Sequence, residues 1–145
     1  MRCWLIFALF LCTAVNSLSQ VAADEETNFR CVERIEVPRY PSVALSPNLA
    51  GTVAASVHLT ASGAVQDLST DMETKNGAKP KILTLPVEAA IHTSTFRRDC
   101  GGKIIRLIFI FEMKEQPSVA PKQVVTFESP NKFRITSEPQ KAIVD

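Results

Sequence analysis

The chain has 145 residues, which is enough for one domain and a targeting segment. Lysine and arginine total 16 and aspartate and glutamate total 15, so the formal net charge is +1. This balance argues against nucleic acid as the main partner, because duplex binding usually needs a concentrated basic field.

Residues 1–23 have the pattern of a secretory signal peptide. Arg2 supplies the positive start, the apolar run 4–11 follows, and small residues come next, with cleavage sites after Ser19 or Ala23. The apolar run is well short of the roughly 20 residues that a membrane-spanning helix needs. We therefore predict an exported protein, periplasmic or secreted, that does not span the membrane after cleavage.

Cleavage would leave two of the four cysteines, Cys31 and Cys100. An exported chain meets an oxidising compartment, where two cysteines most simply form one disulfide. Closing so long a loop would stabilise the fold by about 4 kcal/mol, because the unfolded chain loses entropy. Neither cysteine has a CxxC partner or a histidine at ligand spacing, so we predict no metal site and no cofactor. A thiol-redox protein or enzyme that uses Cys100 is the alternative.

The rest of the chain divides into three segments: a lead-in over residues 24–36, a domain over 37–113 and an extension over 114–145. The lead-in has some apolar alternation, typical of an extended strand, and Pro38 interrupts it soon after. A short helix is predicted over 40–46, where a proline suits the first helical turn.

The clearest strand lies over residues 52–60, where apolar and polar side chains alternate so that one face of the strand is wet. A tight turn follows, in which Gly63 can take a positive φ. Residues 64–69 return as a second strand, so the pair reads as an antiparallel hairpin. The polar stretch 71–81 is then predicted as a loop.

A helix is predicted over residues 82–96. Thr84 is suited to cap it and Pro86 to occupy its first turn. Four residues follow the spacing of a buried helical stripe: Val87, Ala90, Ile91 and Ser94.

The most apolar part of the predicted domain is a strand over residues 103–113. One face carries Ile105, Leu107, Phe109, Phe111 and Met113, and the other carries Ile104, Arg106, Ile108, Ile110 and Glu112. A strand that is apolar on both sides must be covered on both sides or paired with something else. The extension shows a weaker hairpin, with strands near 124–127 and 133–136, which we predict to cover the outer face of this strand.

The order of these motifs resembles the TonB C-terminal domain. The family pattern has Tyr-Pro-x-x-Ala, a Gly-Thr-Val strand start, an Asp-Gly-x-Val turn, a helix that ends in Trp-x-Phe, and a final apolar strand. Here the matching motifs start at Tyr40, Gly51 and Ser62, and the helix ends in Ser94-Thr95-Phe96. The match covers residues 37–113. Because Ser94 stands where the family has tryptophan, we expect the core to close differently.

The resemblance implies an α+β fold with a small three-stranded antiparallel sheet and helices on one face. It also implies a non-catalytic module that binds a protein or peptide of the bacterial envelope, such as an outer-membrane transporter, by adding a strand to the sheet edge. The predicted contact residues are the outward ones of the last strand: Ile104, Arg106, Ile108, Ile110 and Glu112. A homodimer is also compatible with the sequence. The alternative function within the family is a membrane-anchored energy transducer whose N-terminus is not cleaved.

No catalytic residue is predicted. His58 lies on the wet face of its strand without a visible partner, and His92 and Ser94 are spaced so that their side chains diverge. The acidic residues Asp67, Asp71 and Glu73 lack the spacing of a calcium loop.

Overall fold

The structure is a computed structural model that describes residues 30–45, 49–74, 81–120, 122–129 and 131–141. The predicted signal peptide and residues 24–29 of the lead-in lie outside these ranges. The described elements are, in chain order, β1 Val32–Arg34, α1 Ser42–Leu45, β2 Gly51–Leu59, β3 Val65–Glu73, α2 Lys81–Thr93, β4 Thr95–Phe96, a 3-10 turn Arg98–Cys100, β5 Ile104–Met113, β6 Gln123–Ser129 and β7 Lys132–Ser137.

The main sheet has five strands in the order β3-β2-β5-β7-β6, and β1 pairs with β4 in a separate two-stranded sheet. Strand β2 is antiparallel to both β3 and β5, so the predicted hairpin and its pairing with the long strand are present. Strands β2, β3 and β5 of the predicted domain thus form an antiparallel sheet as expected, but the whole sheet is larger and is not wholly antiparallel. The extension adds two strands to it, and β7 runs parallel to β5.

The β2–β3 hairpin turns where predicted, and its second strand is longer than predicted. Gly63 has φ 83°, and a Cβ there would lie 3.0 Å from the carbonyl oxygen of Arg97, so glycine suits the turn in both respects. Strand β3 continues to Glu73, so Asp71, which was predicted in a loop, pairs with Ala54. Pairing with β2 along its whole length outweighs the polar composition of this segment.

The hydrophobic core lies between one face of the main sheet and α2. The inward residues of β5 are Ile105, Leu107, Phe109 and Phe111, and each is at most 1% exposed, as their alternation predicted. Helix α2 contributes Leu83, Val87 and Ile91 to the same core. The fold is therefore α+β, with strands predominating.

Helix α2 differs from its prediction at both ends. It starts at Lys81, so Pro86 lies in its second turn and removes the N–H that would bond to the carbonyl of Ile82. The Thr84 hydroxyl donates to the Lys81 carbonyl at 3.1 Å instead of capping the helix. The helix ends at Thr93, because the next residues leave it to pair with β1.

Ser94 closes the core at the end of α2, where the resembling family has tryptophan. Its side chain is buried, donates to the Ala90 carbonyl at 2.8 Å and accepts from the Glu36 backbone N–H at 2.9 Å. A small polar residue thus joins the lead-in to the helix, since the lead-in backbone occupies the space beside it.

The disulfide between Cys31 and Cys100 is present, with a Cα–Cα distance of 5.6 Å. It joins the residue before β1 to the turn after β4. Both cysteines are buried in the core, and the Arg97 N–H donates to the Cys31 carbonyl at 2.8 Å beside them. The bond therefore ties the lead-in to the domain that follows it.

The C-terminal hairpin is present as β6 and β7, but it does not cover the outer face of β5 as we predicted. Strand β7 instead pairs with the edge of β5, with Phe109 opposite Phe133 and Phe111 opposite Ile135. These pairs lie on the core side, where the rings of Phe109 and Phe133 stack with centroids 5.4 Å apart. In this position, in the plane of the sheet, the hairpin buries Phe133 and Ile135 in the core.

Candidate interaction surface

The five residues predicted to contact a partner share the outer face of β5, opposite the core. Ile104 and Arg106 are exposed, whereas Ile108, Ile110 and Glu112 are half-buried between neighbouring strands. No helix or strand among the described residues packs on this face. The side of the sheet that carries these residues, which we call the open face, is therefore accessible.

The strands beside β5 give the open face a graded composition. On one side, β2 places Ala54 opposite Ile108, Ser56 opposite Arg106 and His58 opposite Ile104. Beyond β2, strand β3 carries three acidic side chains in register with this face: Asp67, Asp71 and Glu73. On the other side, β7 places Lys132 opposite Ile108 and Arg134 opposite Ile110. An apolar centre thus lies between an acidic border and a basic border.

Arg134 organises the basic border. Its guanidinium donates hydrogen bonds to the carboxylates of Glu112 on β5 and Glu128 on β6. The hydrogen bond from Arg134 holds the pKa of Glu128 below its usual range, and the two carboxylates raise the pKa of Arg134. Three strands are therefore cross-linked on the open face by one side chain.

Tyr40 supports the same end of the sheet from the core side. Its ring packs edge-on against Phe111, with centroids 5.4 Å apart, and its hydroxyl donates to the Leu49 carbonyl. Burial, together with the negative charge of Glu112, raises the pKa of Tyr40 to about 12. Its backbone N–H donates to the Gln123 side chain of β6 at 2.7 Å, which fixes the segment before α1 to the last hairpin.

Strand β5 has no free backbone edge in this fold, because β2 pairs with one side of it and β7 with the other. The two edges of the main sheet are β3 and β6. Strand β3 carries charged side chains along its edge, which discourage further pairing. Strand β6 is different, since Val124, Val125 and Phe127 are 48%, 42% and 52% exposed.

The residues considered for chemistry do not form a reactive site. Cys100 is bonded to Cys31, so neither offers a free thiol. His58 lies in β2 opposite Asp67 and Ile104, and His92 is exposed on α2. Within the described ranges, no group of three or more His, Cys, Asp or Glu side chains is placed to hold a metal ion.

No family model, curated protein or solved structure matches the chain. The likeness to the TonB C-terminal domain thus rests on the sequence motifs alone and stays a prediction. Among the helices that the structure describes, none is long and apolar enough to cross a membrane.

Two parts of the surface were not identified from the sequence. The basic border from Lys132 and Arg134 was missed because it belongs to a hairpin that was expected to lie over the face. The apolar edge of β6 was missed for the same reason. The alternation of Lys132, Arg134 and Thr136 with Phe133 and Ile135 was a usable signal, since it assigns the charged residues to the outer face.

Proposed function

We propose that this chain is an exported, non-catalytic module that binds a protein or peptide of the bacterial envelope through its open face. The observation that carries the proposal is a row of isoleucines on the outer side of β5, in which Ile104 is 54% exposed and Ile108 and Ile110 are half-buried between β2 and β7. Apolar side chains on an accessible face, bordered by charges, are typical of protein-binding surfaces.

The borders define the chemistry of the partner. An apolar segment would lie along the isoleucines, with basic groups toward Asp67 and Glu73 and acidic groups toward Lys132 and Arg106. Opposed charges of this kind fix orientation and increase the association rate more than they add affinity. Arg106 forms no ion pair with any described residue, so its charge is available to the partner.

The mode of binding that we propose differs from the one implied by the family resemblance. Addition of a strand to β5 would require β7 to leave, and β7 buries Phe133 and Ile135 in the core. Contact through outward side chains of β5 needs no such rearrangement. The residues predicted from the sequence therefore keep their proposed role, while the backbone edge of β5 does not take part.

Capture from periplasmic and outer-membrane extracts tests the proposal. The immobilised chain, beginning at Asp24, is compared with Ile104→Glu and Ile108→Glu. The matched control is Val43→Glu, which changes an apolar residue of α1 that is 63% exposed. We expect both open-face variants to lose a protein that the unchanged chain and the control retain, with dissociation constants raised at least tenfold. Equal retention by all variants would contradict a role for this face.

Two alternatives are separated by direct measurements. A thiol-redox protein using Cys100 requires a free thiol, so alkylation of the folded protein followed by mass spectrometry must detect two modified cysteines. A membrane-anchored transducer requires residues 1–18 to be retained, which N-terminal sequencing of the protein in the membrane fraction would reveal. We expect neither result, because Cys31 and Cys100 are joined and residues 1–23 have the pattern of a cleaved signal.

A further inference from the structure

We propose that strand β6 pairs with β6 of a second copy of the chain, in antiparallel register about Thr126, and that this joins two five-stranded sheets into one. The inference starts from the unequal edges of the main sheet. It concerns a different surface from the open face and does not depend on the proposed function.

Among the described residues, the edge formed by β6 has few of the features that normally prevent pairing. Edge strands are usually protected by charges, prolines, bulges, short length or a covering segment. Strand β6 is seven residues long, is exposed along nearly its whole length, contains one charged residue, Glu128, and shifts its register with β7 once, between Phe127 and Ser129. Arg134 of the same chain already binds that carboxylate. The opposite edge, β3, carries Asp67, Asp71 and Glu73.

Symmetry restricts how two β6 strands can meet. Antiparallel edges of a continuous sheet are related by a two-fold axis perpendicular to the sheet, so both copies place their cores on the same side. Side chains that lie opposite one another then point to the same face of the sheet. A register in which a core-side residue faces an outward residue of the other copy is therefore excluded. Centring the axis on Thr126 pairs residues 124–128 of the two copies, and the register shift between Phe127 and Ser129 leaves Gln123 and Ser129 at the ends of the pairing. Moving the axis to Phe127 would bring that shift to the centre of the pairing, and moving it to Val125 would place Phe127 opposite Gln123.

The side chains favour the register centred on Thr126. In this register, Val125 of each copy lies opposite Phe127 of the other copy, and both pairs are on the core side of the sheet. Within each copy these residues already pair with Ile135 and Phe133 of β7, so the new contacts extend the existing core. Aromatic and β-branched pairs are among the favourable cross-strand combinations. On the other side each Glu128 faces Val124 of the second copy, so the two carboxylates do not oppose one another.

A second copy fits this edge better than an unrelated extended peptide. Pairing two identical edges satisfies the outward backbone groups of both strands at once. A single peptide would satisfy those of β6 and present its own far edge to solvent. The net charge of +1 sets up little repulsion between copies.

Sedimentation equilibrium of the chain beginning at Asp24 tests the association, from about 1 to 200 µM. We expect the mass to approach twice that of the monomer, and Val125→Lys to raise the dimer dissociation constant at least tenfold. Val119→Lys is the matched control, because Val119 is 67% exposed and lies outside the main sheet. A monomer throughout the range, or equal dimers for both variants, would overturn the proposal.

Cysteine cross-linking tests the register separately. Directly opposed residues in antiparallel strands have Cα atoms about 4.5 to 5.5 Å apart, within disulfide range. Thr126→Cys should therefore form a covalent dimer under mild oxidation. Val124→Cys should not, because the two copies of residue 124 would be four residues, about 13 Å, apart along the strands. Equal cross-linking of both variants would refute the register. Protection of β6 amides from hydrogen exchange only after addition of envelope extract would assign this edge to another protein.

Discussion

Alkaline titration of Tyr40 tests the packing of the segment before α1 against the sheet. Tyr40 is the only tyrosine of the chain, and the only tryptophan, Trp4, lies in the predicted signal peptide. Tyrosinate absorbance near 295 nm of the chain beginning at Asp24 therefore reports a single group. The fold raises its pKa from 10.0 to about 12, mainly through burial and secondarily through Glu112.

A rise from 10.0 to about 12 corresponds to roughly 2 to 3 kcal/mol in favour of the neutral phenol in the folded state. Because the folded pKa exceeds the unfolded one, this stabilisation is fully present below pH 10. It is lost as the pH rises from about 10 to about 12. We expect a titration midpoint well above 10 while far-UV circular dichroism shows the fold intact, and a midpoint near 10 in guanidinium chloride.

Glu112→Gln separates the two causes of this shift. Removing the charge should lower the midpoint without returning it to 10, because burial is the larger cause. A midpoint near 10 in the folded chain would refute the burial of the Tyr40 hydroxyl and its hydrogen bond to Leu49. If the midpoint were near 10 in Glu112→Gln but not in the unchanged chain, the claim that burial is the larger cause of the shift would be refuted.

Three further predictions concern the stability of the fold. Cys31→Ser combined with Cys100→Ser should lower the free energy of unfolding by about 4 kcal/mol in urea titrations, because it opens a loop with a sequence separation of 69; no change would mean the bond is absent. Ser94→Ala should lower the free energy of unfolding by about 1 to 3 kcal/mol, since it leaves the backbone N–H of Glu36 without its acceptor. The control is Ser69→Ala, which changes an exposed serine. The free energy of unfolding should fall as the pH drops through the lowered pKa values of Asp99, Glu128 and Glu138. The fall should be smaller in Arg134→Gln, because this variant lacks the cation that binds Glu128. An equal fall in the variant would refute the ion pair with Glu128.

Local patterns predicted the strands and the helix well. Apolar residues at every second position are typical of a strand with one buried side. The burial of Ile105, Leu107, Phe109 and Phe111 therefore follows directly from their spacing. The hairpin at Gly63 is equally local, because a turn between two short strands needs few distant contacts. Two cysteines in an exported chain left a single pairing to predict.

The placement of the C-terminal hairpin could not be predicted in the same way. The alternation of Phe133 and Ile135 with polar residues shows that one side of the strand is buried. The same alternation would occur in a hairpin lying above the sheet and in one lying within it. The choice depends on whether β5 has a free edge, which is a property of the whole sheet. The parallel pairing of β5 with β7 brings together residues that are 24 positions apart in the sequence, for example Ile108 and Lys132.

The open face was predictable only in its centre. The isoleucines and charges of β5 belong to one segment, so their shared face follows from alternation. The acidic and basic borders come from β3 and β7, and their positions depend on register between strands distant in sequence. Asp71, Ala54, Ile108 and Lys132 lie in one row across four strands, although no motif connects them.

The order of the strands has a consequence for how the chain acquires its fold during synthesis. Among the described strands β7 is made last, yet it lies between β5 and β6, both of which precede it. Until Ser137 has left the ribosome, the apolar β5 keeps an unpaired row of backbone groups and β6 lacks the strand that it joins. A nascent chain with these unpaired strand edges is prone to aggregate during that interval.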